Sequence, residues 1–127
     1  MRIQCVREFP TEEQVLQLGS YYRPGKQVFH VQVGKEYLVY GITFLSGCPW
    51  VELKEDFGYL HRAPLGLFEI TDGRVSSYWE TRCIGRDICF WPPSFYREYY
   101  FDDLLEGVEE VLEDFRTVSS RVEAEFN

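Results

Sequence analysis

Apolar residues recur at every second position through much of the stretch from Val28 to Trp91. Beyond Pro92-Pro93 they recur at every third or fourth, so the chain is expected to build a sheet first and a helix after it. Phe29, Val31 and Val33 alternate with Val28, His30 and Gln32. After Gly34, the run Leu38, Tyr40, Ile42, Phe44 alternates with Tyr37, Val39, Gly41 and Thr43. This second run is apolar on both faces, which places it inside a sheet, with Gly41 marking a bend or bulge. Val51 and Leu53 form the inward set of a third strand after the turn-prone Ser46-Gly47-Cys48-Pro49, and Asp56-Phe57-Gly58 reads as a further turn. The sharpest local signal is Asp72-Gly73. As the centre of a type I′ turn it predicts a hairpin of roughly 66 to 71 with 74 to 82, with Phe68, Ile70, Val75 and Trp79 inward and Glu69 and Ser76 outward. A short strand from Ile88 to Trp91 is ended by Pro92 and Pro93, neither of which can donate to a ladder.

Two helices complete the pattern. Thr11 and Gln14 have the spacing of a capping box and Gly19 follows Leu18 as a stop, which predicts a short helix over 12–18 and a loop from Ser20 to Gln27. Leu104, Val108, Val111, Phe115, Val118 and Val122 make an amphipathic stripe, widened by Leu105 and Leu112. Asp103 and Glu106 are spaced as a capping box for it, and Gly107 either sits within one helix or divides it into two. The expected fold is a single α+β domain over 1–127. It consists of a bent antiparallel sheet, or half-barrel, of five or six strands with a short N-terminal helix and a longer, acidic C-terminal one.

Charge is distributed unevenly. The net charge is −8, yet residues 1 to 97 hold 11 acids and 11 bases, whereas 98 to 127 hold 10 acids and only Arg116 and Arg121. A partner of that last segment should be basic or polar. Nucleic acid and anionic membrane, which need Lys and Arg, are disfavoured. Charges at Arg2, Arg7 and Glu8 interrupt the start where a signal peptide would be apolar, and no run of about 18 apolar residues exists, so the expected location is the cytoplasm. There Cys5, Cys48, Cys83 and Cys89 would stay thiols, chiefly as small buried apolar residues.

Chemistry has little to work with. No phosphate-binding glycine loop, G-x-S-x-G or H-E-x-x-H occurs, and His30 and His61 are the only histidines. His30 falls on the non-core face of its expected strand, and His61 in a loop is the better functional candidate. A Cys48–His61 nucleophile and a zinc site of Cys83, Cys89 and a histidine lack local signatures. The reading is therefore non-catalytic, with no cofactor and no metal. Carboxylates on a helix lack the loop geometry that wraps Ca²⁺.

Binding has better candidates. Glu106, Glu109, Glu110 and Glu113 crowd the polar face of the stripe, and like charges at i, i+3 and i+4 cost a few tenths of a kcal/mol per pair, by about the usual helical measure. Beside them Trp91, Phe95, Tyr96, Tyr99, Tyr100 and Phe101 fall within eleven residues. Tyr96, Tyr99 and Tyr100 are the candidate partner anchors, since aromatic side chains dominate interfaces. Two other classes compete with a protein-binding module. One is a small-ligand barrel walled by Tyr40, Phe68 and Trp79. The other is a self-associating module paired through the stripe from Leu104 to Val122.

With those residues on the page, the chain resembles small immunity proteins of bacterial polymorphic-toxin and contact-dependent inhibition systems. The resemblance rests on Gly34-Lys35-Glu36-Tyr37-Leu38-Val39-Tyr40-Gly41-Ile42, on the run from Pro64-Leu65-Gly66-Leu67-Phe68 through Asp72-Gly73 to Tyr78-Trp79, and on the aromatic-to-acidic ending. It spans roughly residues 28 to 117. It implies a stoichiometric inhibitor of a cognate toxin domain, often a nuclease. It transfers no binding residue, so the acidic helix face and its tyrosines supply the candidates.

Overall fold

The computed structural model describes residues 1–56 and 58–127. It is α+β with antiparallel pairing, as expected, but the strands form two sheets rather than one. The smaller sheet has order β2-β1-β6, from β1 (Arg2–Cys5), β2 (Glu36–Leu38) and β6 (Phe68–Asp72). The larger has order β5-β4-β3-β8-β7, from β3 (Gly41–Leu45), β4 (Cys48–Lys54), β5 (Leu60–Pro64), β7 (Glu80–Ile84) and β8 (Asp87–Trp91). Helices α1 (Glu12–Leu18), α2 (Tyr100–Glu106) and α3 (Glu109–Glu125) complete it.

Local chemistry set several elements as expected. Thr11 and Gln14 close a reciprocal capping box on α1, and Gly19 terminates the helix at a φ of 57°. Ser46 and Gly47 both take positive φ, the requirement of a two-residue type I′ turn, so Leu45 pairs with Cys48 and Pro49 already belongs to β4. β8 ends at Trp91 before the two prolines. Gly107, at a φ of 80°, caps α2 and separates it from α3. Of the turn expected at 56–58, Phe57 lies outside the described residues. Gly58 N–H donates to the Glu55 carbonyl at 2.9 Å and Glu55 N–H to that of Tyr59 at 2.8 Å.

Four expectations need correction. The alternating run 28–33 forms no strand: His30 takes a φ of 53°, which breaks an extended ladder, though Phe29 and Val31 are still buried. The run 37–44 is divided at Val39-Tyr40, so that β2 edges the small sheet while β3 is the middle strand of the large one. The Asp72-Gly73 hairpin does not exist. β6 pairs with β1 instead, and Gly73 does not take the positive φ that a type I′ turn demands. The Asp72 carboxylate instead accepts from the N–H and guanidinium of Arg74, while Ser76 and Ser77 are tied to the Glu125 carboxylate of α3 at 2.5–2.8 Å. Ile70 and Val75 are consequently exposed and Ser76 is buried, the reverse of the expected pattern. Finally, Asp103 caps nothing. α2 starts at Tyr99 in a left-handed conformation and α3 at Val108, neither with a side-chain cap.

The large sheet is covered on both sides. Val51 and Leu53 of β4 join Ile3 and Cys5 of β1, Leu18 of α1 and Leu67 in one apolar cluster. On the other face Cys89 and Trp91 of β8 meet Phe95, Tyr100, Leu104, Val111, Phe115 and Val122 in a second. Each such buried aliphatic or aromatic side chain contributes about 1.5–3 kcal/mol. Apart from exposed Leu105 and Val108, the stripe of α2–α3 is therefore packed within the chain. Tyr40 and Phe68 belong to different packed clusters, so Tyr40, Phe68 and Trp79 do not wall one common cavity.

Candidate protein-binding surface

The ten acids of the last thirty residues divide by what their carboxylates touch. Asp114 accepts hydrogen bonds from the Tyr100 hydroxyl at 2.8 Å and from Ser94 at 3.2 Å, Glu123 lies 3.7 Å from Lys54, and Glu125 clamps Ser76 and Ser77. Burial would raise the Glu125 pKa, but the hydrogen bonds from both serines outweigh it and leave the value lowered. These three are engaged by groups of the same chain. Glu98, Asp102, Asp103, Glu106, Glu109, Glu110 and Glu113 make no ion pair or side-chain hydrogen bond among the described residues.

Some of these seven have a local role. Asp102 and Asp103 lie in the first turn of α2, Glu109 and Glu110 in that of α3, where a negative charge near the helix N-terminus contributes about 0.3–1 kcal/mol. Glu106 stands at the opposite end of α2, where the dipole disfavours it, and Glu98 and Glu113 lie in no first turn. Apolar groups interrupt this acidic run: Leu105 is 65% exposed, Tyr99 66% and Val108 40%.

The three candidate tyrosines meet at one place but differ in availability. Tyr99 projects into solvent. Tyr96 is half-buried, its ring tilted against that of Trp91 at 4.9 Å, with its hydroxyl shared between the carbonyls of Glu80 at 2.5 Å and Cys89 at 2.9 Å. Tyr100 is only 1% exposed and donates to Asp114, so it is a core residue and cannot anchor a partner. All three border a cleft of about 520 Å³, together with Glu52, Arg62 and Asp102. Glu106, Glu109, Glu110 and Glu113 lie outside it and continue the acidic run along α2 and α3.

At the cleft stands a pair that periodicity does not predict. Glu52, between the inward Val51 and Leu53, alternates to the other face, which would be solvent in a one-layer sheet. Here that face is covered by α2 and α3, and Glu52 is 2% exposed. Register sets Arg62 of β5 directly opposite, and its Nε donates to Glu52 Oε1 at 2.5 Å, with Thr43 Oγ1 at 3.4 Å. Burial pushes the Glu52 pKa up; the charge of Arg62 and hydrogen bonds from Arg62 and Thr43 oppose it. The guanidinium lies 5.9 Å from the Trp91 ring centre and 5.7 Å from that of Phe101, in range of cation–π attraction.

The residues weighed for catalysis do not converge. His61 pairs with Leu53, five residues along β4 from Cys48, about 17 Å at the usual rise per strand residue, so no Cys48–His61 dyad forms. Cys83 pairs with Ile88 and Cys89 with Arg82, which points the two thiols to opposite faces. His61 itself is half-buried with Nδ1 3.0 Å from Glu55 Oε1. Burial lowers its pKa below 6.5, the Glu55 charge opposing and those of His30 and Lys35 adding to the effect. The folded state thus takes up this proton less readily than the unfolded chain. The stability linked to neutral His61 is fully present above the ordinary histidine range and is lost as pH falls through the lowered value. In urea unfolding at about pH 7 and about pH 5, the parent should lose more stability on acidification than His61→Gln. Equal losses would mean that the imidazole is not linked to folding.

No protein-family model, curated protein or solved structure matches this chain.

Proposed function

We propose that this chain is a non-catalytic protein-binding module for a basic partner domain, of the kind that immunity proteins use to neutralise a cognate toxin. One observation carries the reading: seven carboxylates from Glu98 to Glu113 are unpaired among the described residues, and exposed Tyr99, Leu105 and Val108 lie among them. Apolar groups inside a charged rim are the composition of a protein interface, and a single-signed rim raises association rates with an oppositely charged partner. A domain that handles nucleic acid would have the complementary charge. Speed of capture is what protection of a cell would require.

The experiment is co-expression with the polypeptide encoded beside this one. The variant Glu98→Lys/Glu106→Lys/Glu113→Lys leaves the dipole-favoured acids in place and should fold with the parent's stability to within about 1 kcal/mol. The parent is expected to bind the neighbour's toxic domain one to one and abolish its toxicity, and the variant to protect poorly. Full protection by the variant would remove this surface from the mechanism, and no protection by the parent would remove the immunity reading.

A further inference from the structure

Among the described residues of this acidic protein lies a concavity of the opposite character. A groove of about 660 Å³, sharing Arg62 with the cleft described above, is bordered by Lys26, His30 and Arg62 and by the rings of Tyr21, Phe29 and Trp50. No acid is among its lining residues, in a chain with 21 acids and 13 bases.

Two of the side chains bordering the groove have donors that meet no acceptor among the described residues. Pairing of Trp50 with Pro64 and of Glu52 with Arg62 puts Trp50 and Arg62 on one face of β4–β5 as diagonal neighbours, about 7–8 Å apart in an antiparallel ladder. The Trp50 indole N–H is buried with no hydrogen-bond partner among the described residues. Arg62 is held through Nε by Glu52, and its two Nη groups meet no acceptor among the described residues. A guanidinium fixed in this way presents the fork geometry that matches a carboxylate. Phe29 packs edge-on to Trp50 at 5.8 Å and Tyr22 stacks behind Phe29 at 5.5 Å, and all three rings are buried. His30, at the rim, holds a left-handed φ of 53° that a non-glycine residue seldom adopts.

We infer that this groove binds a carboxylate carried on a flat aromatic body, with Arg62 and Lys26 holding the carboxylate, the exposed ring of Tyr21 lying against the body, and the largely buried Trp50 and Phe29 forming the floor beneath it. This site meets the cleft at Arg62 but contains none of the acids from Glu98 to Glu113, and it does not depend on the protein-binding reading.

Titration of the folded chain with benzoate, followed by NMR, tests it. The three tryptophans give three indole N–H signals, which locate the ligand. Benzoate should shift the Trp50 indole and Arg62 Nε–H signals saturably, benzamide should bind at least about tenfold more weakly, and benzylamine should leave both unmoved. Lys26→Ala/His30→Ala changes two exposed side chains, so it keeps the fold, and should weaken benzoate by at least about threefold. Arg62→Gln, where folded, should abolish the response. Shifts that do not saturate, equal binding of benzamide, or movement of the Trp91 indole without that of Trp50 would each overturn the assignment.

Discussion

Arg62→Ala should lower the unfolding free energy by about 3 kcal/mol, the low end of the cost of breaking a buried ion pair. The loss arises almost entirely at Glu52. That carboxylate is 2% exposed, and without the guanidinium it keeps only the long hydrogen bond from Thr43. The low end applies because the Arg62 side chain is itself 36% exposed, so water can enter where it stood. A double variant separates the two contributions. In Glu52→Leu/Arg62→Met no charge is left behind, and its stability should return to within about 1 kcal/mol of the parent, since well-packed apolar groups commonly match a buried pair. Urea midpoints at unchanged slope would measure both. An Arg62→Ala protein as stable as the parent would show that Glu52 does not depend on its partner.

Phe115→Asp should be more damaging still, by more than about 5 kcal/mol, enough to remove the cooperative unfolding transition of a domain this size. Phe115 is 2% exposed, with Tyr40 at 6.1 Å and Phe95 at 6.2 Å between ring centres, and it joins α3 to the sheet. Truncating such a ring costs about 3–5 kcal/mol, and a carboxylate in its place adds desolvation. Lys54, 6.0 Å from the ring, is the nearby cation, and it already faces Glu123. The control lies five residues earlier: Glu110→Asp, on the exposed face of the same helix, should stay within about 0.5 kcal/mol. Circular dichroism of the two proteins would distinguish them without further treatment.

What the sequence made legible was governed by near neighbours. The capping box of Thr11 and Gln14, the stop at Pro92-Pro93 and most of the inward set of α2–α3 each depend on residues within one or two turns and match the structure, whereas Leu105 and Val108 of that set are exposed. Asp72-Gly73 also had the right local chemistry. Its hairpin lost to distant partners: β1 took β6, and Glu125, 48 and 49 residues away, took Ser77 and Ser76. β1 itself is too short for its alternation to be seen, yet Ile3 and Cys5 sit at the centre of a core. Residues 28–33 kept part of their predicted burial without their predicted hydrogen bonds, because periodicity reports which side faces inward and a positive φ at His30 forbids the ladder.

The candidate surface was legible in the same partial way. Composition located the acidic run, and periodicity located its outward face. Neither could show that Asp114, Glu123 and Glu125 are occupied within the fold, nor that Tyr100 is buried. The basic groove was not legible at all, since Lys26, His30 and Arg62 are brought together only by the path of the chain across β4–β5.

The most direct measurement of the central claim is the salt dependence of association with the neighbouring polypeptide's toxic domain, by stopped flow. For the parent, the association rate should fall steeply as ionic strength rises and the Debye length shrinks to about 8 Å. Glu98→Lys/Glu106→Lys/Glu113→Lys should associate at least about tenfold more slowly at low salt, with a nearly flat dependence. A variant with the parent's rate and the parent's slope would contradict the account, because capture would then owe nothing to the acidic surface of α2 and α3.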